Sequence, residues 1–471
     1  MPPKFGTSGL RGLVTELTPE LVGDHVRAFL AACPHGGAVH VGRDLRASSP
    51  DIADVVIDAV RATGLEAVDC GAVPTPALAL EAMAQGHGAV MITGSHIPAD
   101  RNGLKFYVPT GEIGKDDESA IQANLGATPT RGPRGGLARS SDTMAAYVAR
   151  YERAFGPGAL SGLRIGIYEH SSVARDAMRD VVAALGATPV PLARSETFIP
   201  VDTEAVDPEV RAQIVAWCAE HALDAVISTD GDADRPLVAD AAGRVVPGDV
   251  LGALTARALG AEVICTPVSS NSMIDRMPEF ARIEKTRIGS PFVIAAMETV
   301  RAANPDARVV GYEANGGFLL GFTASLDEGT LAPLMTRDCL LPILAPLAAA
   351  RGRGVTLADL VADLPGVFTA ADRVKEVPTE ASRALIDRLA RDAAARRTFF
   401  EGMGAEAEID LTDGLRVRFD GGRTVHLRPS GNAPECRCYA EADTAEDAQE
   451  LVERHLAKLK AELVEGAGPS S

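Results

Sequence analysis

The sequence predicts an α/β protein with a smaller α+β unit toward its C-terminal end. Three observations lead there. Short β-rich runs alternate with longer Ala- and Leu-patterned segments of helical spacing, as in open α/β sheets. Several apolar runs pass directly into Gly-, Ser- and Asp-rich turns, where the ligand loops of such sheets lie. Hydrophobic residues make up 46% and aromatic residues only 4%, which suits Ala-rich helices packed on sheets better than a base-stacking surface.

The elements follow in order. Ala38–Val41 reads as a strand ending in Gly42-Arg43-Asp44, and Ile52–Arg61 as the helix after it. Ala89–Thr93 is a second buried strand. A Gly-, Pro- and Arg-rich stretch at 128–137 marks a first boundary. Leu163–Tyr168 opens the next unit as a strand, and the helix Val173–Leu185 is stopped by Gly186. Ala225–Ser228 is a strand that ends at Asp230, a hairpin turn is expected at Asp240–Val246, and a helix at 250–259. A second boundary falls near 242. Glu262–Cys265 and Arg308–Val310 are strands of a third unit, and a long, interrupted helix is expected around 329–350. Beyond Arg351-Gly352-Arg353-Gly354 the texture changes. Residues 366–471 read as mixed strands, a hairpin at Gly421-Gly422, a closing helix at 444–464 and a frayed tail.

Composition bounds the function. At roughly 100–200 residues per domain, 471 residues make three or four domains. Lys plus Arg is 46 and Asp plus Glu is 64, a net charge of −18, which argues against nucleic acid and anionic membranes as partners. A pocket can still be locally basic. Seven scattered cysteines, an odd number in a long chain, argue against a disulfide framework, and Cys436-x-Cys438 is too tight for a zinc knuckle. MPPKFGTSGLRG lacks the apolar core of a signal peptide. The greasiest run, Leu340–Ala350, is too short for a span and is broken by Pro342 and Pro346. A cytoplasmic protein is expected.

Four loops carry candidate chemistry. Thr93-Gly-Ser95-His96-Ile97-Pro-Ala-Asp-Arg-Asn-Gly-Leu-Lys105 follows an apolar strand. Its serine beside a histidine suits a nucleophile or phosphate carrier, or an ordinary polar turn. Asp230-Gly-Asp232-Ala-Asp234-Arg235 puts three carboxylates at alternate positions. They can converge on one hard cation such as Mg²⁺, or form a solvated acidic turn. It is not a calcium loop: Arg235 stands at the position of the required glycine. Gly311-Tyr-Glu313-Ala-Asn315-Gly-Gly317 offers groups for sugar hydroxyls, or is a glycine-rich turn. Arg428-Pro-Ser430-Gly431-Asn432-Ala-Pro-Glu435, with Arg437 beyond, holds the inventory of a phosphate cradle, or is a turn. Their co-occurrence in separate units is the signal.

On these motifs, in this order over essentially the whole chain, the sequence resembles the α-D-phosphohexomutases, which interconvert hexose 1-phosphates and 6-phosphates. The resemblance implies three topologically similar α/β domains and a smaller fourth around a central cleft, here 1–137, 138–241, 242–357 and 358–471. It implies Ser95 as the phosphorylated serine, and Asp230, Asp232 and Asp234 with Ser95 as the Mg²⁺ ligands. Arg11, in Gly6-Thr-Ser-Gly-Leu-Arg11-Gly, lies near the reaction, and with Arg235 stabilises the transferring phosphoryl group. Lys105, or else His96, serves as acid–base group. Lys285 and Arg287 contact substrate in one orientation, Glu313 and Asn315 bind adjacent sugar hydroxyls, and Arg428, Ser430, Gly431, Asn432 and Arg437 hold the distal phosphate. The chain departs from the family's usual pattern at Ile97, where Asn follows the His, at Asn315 and Gly317, which replace Ser and His, and at Asn432-Ala433, which replaces Thr-Glu.

The implied reaction passes through a hexose 1,6-bisphosphate, with phosphomannomutase activity favoured over phosphoglucomutase or dual specificity and over phosphoglucosamine mutase. A non-catalytic sugar-phosphate binder and a phosphate-releasing hydrolase are the readings from other classes. The expected partners are small hexose phosphates, with the protein a monomer or small homo-oligomer.

Overall fold

The computed structural model describes residues 3–6, 9–126, 133–430 and 434–465. The expected boundary segment 128–137 therefore lies partly, and the tail beyond 465 wholly, outside the described residues. The chain divides into two compact units, one of 1–265 with 289–363 and one of 266–288 with 364–471.

The first unit holds three sheets that repeat one plan. In the first sheet, Ala38–Arg43 pairs parallel with Glu66–Ala72 on one side and Gly88–Ile92 on the other, and Arg101–Val108 then pairs antiparallel with Gly88–Ile92. In the second, Arg164–His170 pairs parallel with Thr188–Arg194 and with Ala225–Thr229, and Pro236–Asp240 returns antiparallel to Ala225–Thr229. In the third, Val263–Pro267 pairs parallel with Val309–Tyr312 through Val263–Cys265, and Phe318–Leu320 returns antiparallel. Each time, the loop of interest links a buried parallel strand to its antiparallel successor. The serine, aspartate and Glu313 loops thus occupy one topological position, at the C-terminal ends of parallel strands. The repeat is invisible as sequence similarity because it is one of strand order.

Buried alternation explains the strands. Val39, Val41, Val90, Ile92, Leu104 and Phe106 form one core with Val22, Val26 and Phe29 of helix Pro19–Ala32 and with Val56 and Val60 of helix Ser49–Ala62. Gly88–Ile92 and Ala225–Thr229 are buried at every residue, hence their continuous apolar reading. One expectation fails. The stretch read as a single interrupted helix at 329–350 is strands Thr330–Leu331 and Leu334–Asp338 followed by helix Leu340–Arg353. A fully buried strand and a buried helix give the same apolar run, so periodicity does not separate them. Strand Leu137–Arg139 adds to the edge of the first sheet beside Glu66–Ala72, across the boundary expected at 137.

The second unit is an antiparallel sheet in the order Phe368–Lys375, Glu435–Ala442, Thr424–Pro429, Leu415–Phe419, Glu406–Asp410. Val417, Phe419, Val425, Leu427, Cys436 and Cys438 face a core completed by helices Thr379–Arg391 and Ala445–Lys460. The two cysteines are packing residues, buried and unbridged. Among the described residues no helix is long and apolar enough to cross a membrane.

Candidate active site

The serine loop is held by one buried arginine. Arg46 donates from Nη1 to the carbonyls of Pro98 (2.6 Å) and Arg101 (2.9 Å), and from Nη2 to those of Ser95 (2.9 Å) and Ile97 (2.6 Å). Its charge is balanced by Asp44, 3.2 Å away, which also accepts from Ser49 Oγ and Thr93 Oγ1. Thr93 Oγ1 in turn accepts from Ser95 N at 2.7 Å. Gly94 is required, because a Cβ there would lie 2.6 Å from the Arg46 guanidinium carbon. Ser95 itself adopts φ 52°, a left-handed conformation uncommon outside glycine and costing of order 1–3 kcal/mol, which this framework enforces.

The aspartate loop meets it directly. Ser95 Oγ donates to Asp230 Oδ2 at 2.6 Å. A Cβ at Gly231 would sit 2.9 Å from the Ser95 carbonyl oxygen, so glycine is what lets the loops approach. Asp230, Asp232 and Asp234 are buried, with their ligand atoms within 4.8 Å of one another. Lys105 Nζ donates to Asp232 Oδ2 and Asp234 Oδ2, both at 2.5 Å, and Thr75 Oγ1 donates to Asp232 Oδ2 at 2.7 Å. Asp232 Oδ1 and Asp234 Oδ1 are buried without a hydrogen-bond partner. Burial, and then Asp232 and Asp234, push the Asp230 carboxyl well above its ordinary range. Burial acts the same way on Asp232, but Lys105 overcomes it and holds that carboxyl below its ordinary range. Three converging carboxylates, all oxygen donors with two acceptors unmet, fit a hard divalent cation such as Mg²⁺.

Cations surround this cluster. Arg235 Nη1 donates to His96 Nδ1 at 3.1 Å, so that nitrogen carries a lone pair. His96 Nδ1 is also 3.3 Å from Ser95 Oγ, whose proton lies toward Asp230. Burial works against the Arg235 charge, and Asp234 and Asp230 outweigh it. Arg11 pairs in register with Gly103 on the adjoining strand; burial and Arg235 lower its pKa to about 10, opposed by Asp232 and Asp234. Glu313 is buried with Oε2 lacking a hydrogen-bond partner. Asn315 Oδ1 accepts from Gly317 N at 3.0 Å, closing its own turn, which leaves its amide NH₂ as the group available to a ligand.

The sequence reading missed Arg337. It is buried, 2.8 Å from Asp234 Oδ2, 3.8 Å from Glu313 Oε2 and 3.6 Å from Glu112 Oε1, and so ties the aspartate and Glu313 loops together. Its signal was an Arg-Asp pair within the apolar strand Leu334–Asp338, hidden by the helical reading of that stretch. Arg46 and Thr75 were missed too; both act from outside the motifs.

The second unit carries the remaining candidates. Arg428 Nε donates to Asp413 Oδ2 at 2.9 Å, and Arg437 donates from Nε (3.0 Å) and Nη2 (2.8 Å) to Glu435 Oε1. Ser430 N donates to the Glu435 carbonyl at 2.9 Å. Gly431 and Asn432 lie outside the described residues. Lys285 lines a cavity of about 450 Å³ with Arg276, Arg416 and Arg418, 3.5 Å from Asp275; burial lowers its pKa. Arg287, two residues on, accepts at its carbonyl from Thr286 Oγ1.

A serine loop against a buried carboxylate triad, on three sheets of one plan, points to the class: a multidomain α/β enzyme of phosphoryl transfer. Comparison with known proteins carries this further. Models of the phosphoglucomutase/phosphomannomutase family match in chain order: α/β/α domain I over residues 2–131, domain II over 145–243, domain III over 247–368 and the C-terminal domain over 359–458. A phosphomannomutase of Sinorhizobium fredii is 45% identical over 476 residues, covering 98% of this chain and all of that protein. One of Salmonella muenchen is 42% identical, covering 98% of this chain and 96% of that protein. A crystal structure of a phosphoglucomutase/phosphomannomutase family protein from Burkholderia thailandensis matches the fold with a TM-score of 0.76 at 21% identity, over 97% of each chain. The chain belongs to the phosphoglucomutase/phosphomannomutase family, the α-D-phosphohexomutases. As such it is an isomerase that interconverts hexose phosphates by phosphoryl transfer.

Proposed function

We propose that the chain is a mannose-preferring phosphohexomutase in which Ser95 carries the phosphoryl group. The observation that supports this most directly is Ser95 Oγ held 2.6 Å from Asp230 inside the buried carboxylate cluster. Phosphorylated Ser95 gives its phosphoryl group to the free hydroxyl of a bound hexose monophosphate. The Oγ–P bond breaks as the sugar O–P bond forms, and the hydroxyl proton passes to a nearby base. The resulting hexose 1,6-bisphosphate reverses in the site, and Ser95 takes back the other phosphoryl group.

Asp230, Asp232 and Asp234, with an oxygen of the serine phosphate, are the proposed Mg²⁺ ligands. Mg²⁺ supplies positive charge to the transferring phosphoryl group. Arg11 and Arg235 add fixed positive charge beside it. Lys105 and His96 remain the two candidates for the proton, one bridging the aspartates and the other beside Ser95 Oγ. The unmet Oε2 of Glu313 and the Asn315 amide suit sugar hydroxyls. Arg428, Ser430, Gly431, Asn432 and Arg437 are proposed for the distal phosphate, and Lys285 and Arg287 for one substrate orientation. The domains at 1–137, 138–241, 242–357 and 358–471 then contribute one loop each. A cytoplasmic location, small hexose phosphates as partners to the exclusion of nucleic acid and membranes, and a monomer or small homo-oligomer belong to the same proposal, in keeping with the charge of −18.

A coupled assay with Mg²⁺ and trace bisphosphate, comparing mannose 1-phosphate, glucose 1-phosphate and glucosamine 1-phosphate, tests it. Mannose 1-phosphate should give the highest kcat/KM. Ser95→Ala should lower kcat by at least about 10³-fold while sugar-phosphate binding persists. Surviving turnover would overturn the phosphoserine role, and release of inorganic phosphate would indicate a hydrolase.

A further inference from the structure

A second cluster of metal-ligating side chains lies on the first sheet, apart from the aspartate loop of the second sheet in both composition and position. Strand Ala38–Arg43 supplies His40, its parallel neighbour Glu66–Ala72 supplies Cys70, and helix Thr75–Ala84 supplies Glu81. His40 Nδ1 is 3.6 Å from Cys70 Sγ and 3.8 Å from Glu81 Oε1, and the three ligand atoms all lie within 4.8 Å of one another. Tetrahedral Zn²⁺, with Zn–S near 2.3 Å and Zn–N near 2.0–2.1 Å, sets sulfur and nitrogen about 3.6 Å apart, and nitrogen and carboxylate oxygen about 3.4 Å apart. The distances from His40 to Cys70 and Glu81 are already close to that spacing.

The surroundings suit the same ion. His40 Nε2 lies 3.2 Å from His87 Nδ1. Ligation through Nδ1 needs a lone pair there, which places the imidazole proton on Nε2, where it is donated to His87 Nδ1. That leaves Nδ1 ready to ligate, with its ring oriented by an outer partner. Thr143 Oγ1 donates to the other Glu81 oxygen, Oε2, and so fixes the carboxylate. Cys70 Sγ also lies 3.7 Å from the Val68 carbonyl. Cys70 and His40 are buried, while Glu81 and His87 are partly exposed, so the open side faces solvent.

We propose that His40, Cys70 and Glu81 bind a borderline-soft divalent ion, Zn²⁺ in the first instance, with water in the fourth position. Binding forms the Zn–S, Zn–N and Zn–O bonds and releases one proton, that of the Cys70 thiol, to solvent. The thiolate and carboxylate then balance the ion's two charges, so no net charge is buried. Sulfur and imidazole donors separate this site from the all-oxygen aspartate loop, which suits Mg²⁺. The two sites share one helix: Thr75, at the end opposite Glu81, hydrogen-bonds Asp232.

The test is a Co²⁺ titration of the chelator-treated full chain with Mg²⁺ in large excess to hold the aspartate loop. One equivalent should bind with near-ultraviolet thiolate-to-cobalt absorption, and Zn²⁺ should displace it. Cys70→Ser should abolish the band, and Glu81→Gln, at a partly exposed position, should weaken binding by at least about tenfold. Absence of the band from the wild-type chain, or its persistence in Cys70→Ser, would overturn the proposal. The wild-type titration decides the matter even where a variant folds poorly.

Discussion

The aspartate cluster and the C-terminal sheet both set cations against carboxylates, and they do so in opposite settings. Around Asp232 and Asp234 the partners are sequestered: the Lys105 and Arg337 side chains are 5% and 3% exposed. On the C-terminal sheet, Arg437 and Arg373 reach Glu435 with side chains 35% and 43% exposed. A charge stripped of its partner in the first setting has no water to turn to, whereas an arginine of the second is resolvated. The first arrangement therefore stays assembled, whereas the second fits the proposed exchange of a carboxylate for a substrate phosphate.

The sharpest way to break this comparison is to remove one cation from each side. Arg337→Ala leaves Asp234, Glu313 and Glu112 short of a buried counter-charge. It should destabilise the first unit by about 3–5 kcal/mol, read as a lowered unfolding midpoint, and reduce kcat with it. Arg337→Lys should rescue only part, because one ammonium cannot reproduce the guanidinium's spread of donors. An unchanged midpoint in Arg337→Ala would show that the cluster is solvated and the contrast false.

Arg428→Ala is the intermediate change in the second unit, its side chain 15% and that of Asp413 10% exposed. Its partner Asp413 keeps a hydrogen bond from Ile288 N, so the carboxylate is not orphaned. The unfolding midpoint should fall by less than in Arg337→Ala, while KM for the hexose phosphate rises about 10- to 100-fold, the value of one or two hydrogen bonds to a charged group. A fall in kcat at unchanged KM would place Arg428 in the transfer step instead of the anchoring of phosphate.

The sequence made the loops legible because each combined an unusual residue set with a strand end. The structure brings the triad Asp230, Asp232, Asp234 and the Ser95 loop together. What holds them was not legible. Arg46 acts from 49 residues before Ser95 by gripping carbonyls, and carbonyl geometry leaves no trace in residue identity. Arg337 sits in a buried strand that reads like a helix. Likewise, His40, Cys70 and Glu81 are single residues on three elements, with no shared spacing to announce them.

A pH-dependent effect concerns the second unit's own core. His455, on helix Ala445–Lys460, is packed between Phe399 and Phe400 at ring distances of 6.0 and 5.4 Å, and its Nδ1 donates to the Leu451 carbonyl at 2.7 Å. Its Nε2 is buried without a partner, and burial lowers the pKa from 6.5 to about 4. A folded pKa below the unfolded one means the unfolded chain binds the proton more readily between those values. Stability contributed by the neutral ring is thus complete above about pH 6.5 and lost as pH falls toward 4, by up to about 3 kcal/mol for this group. His455→Phe should unfold at a midpoint less dependent on pH across that window, with the two proteins diverging only on the acid side. Parallel curves for the variant and wild type would show that this ring takes up its proton in the folded state, and that even the second unit's core admits water.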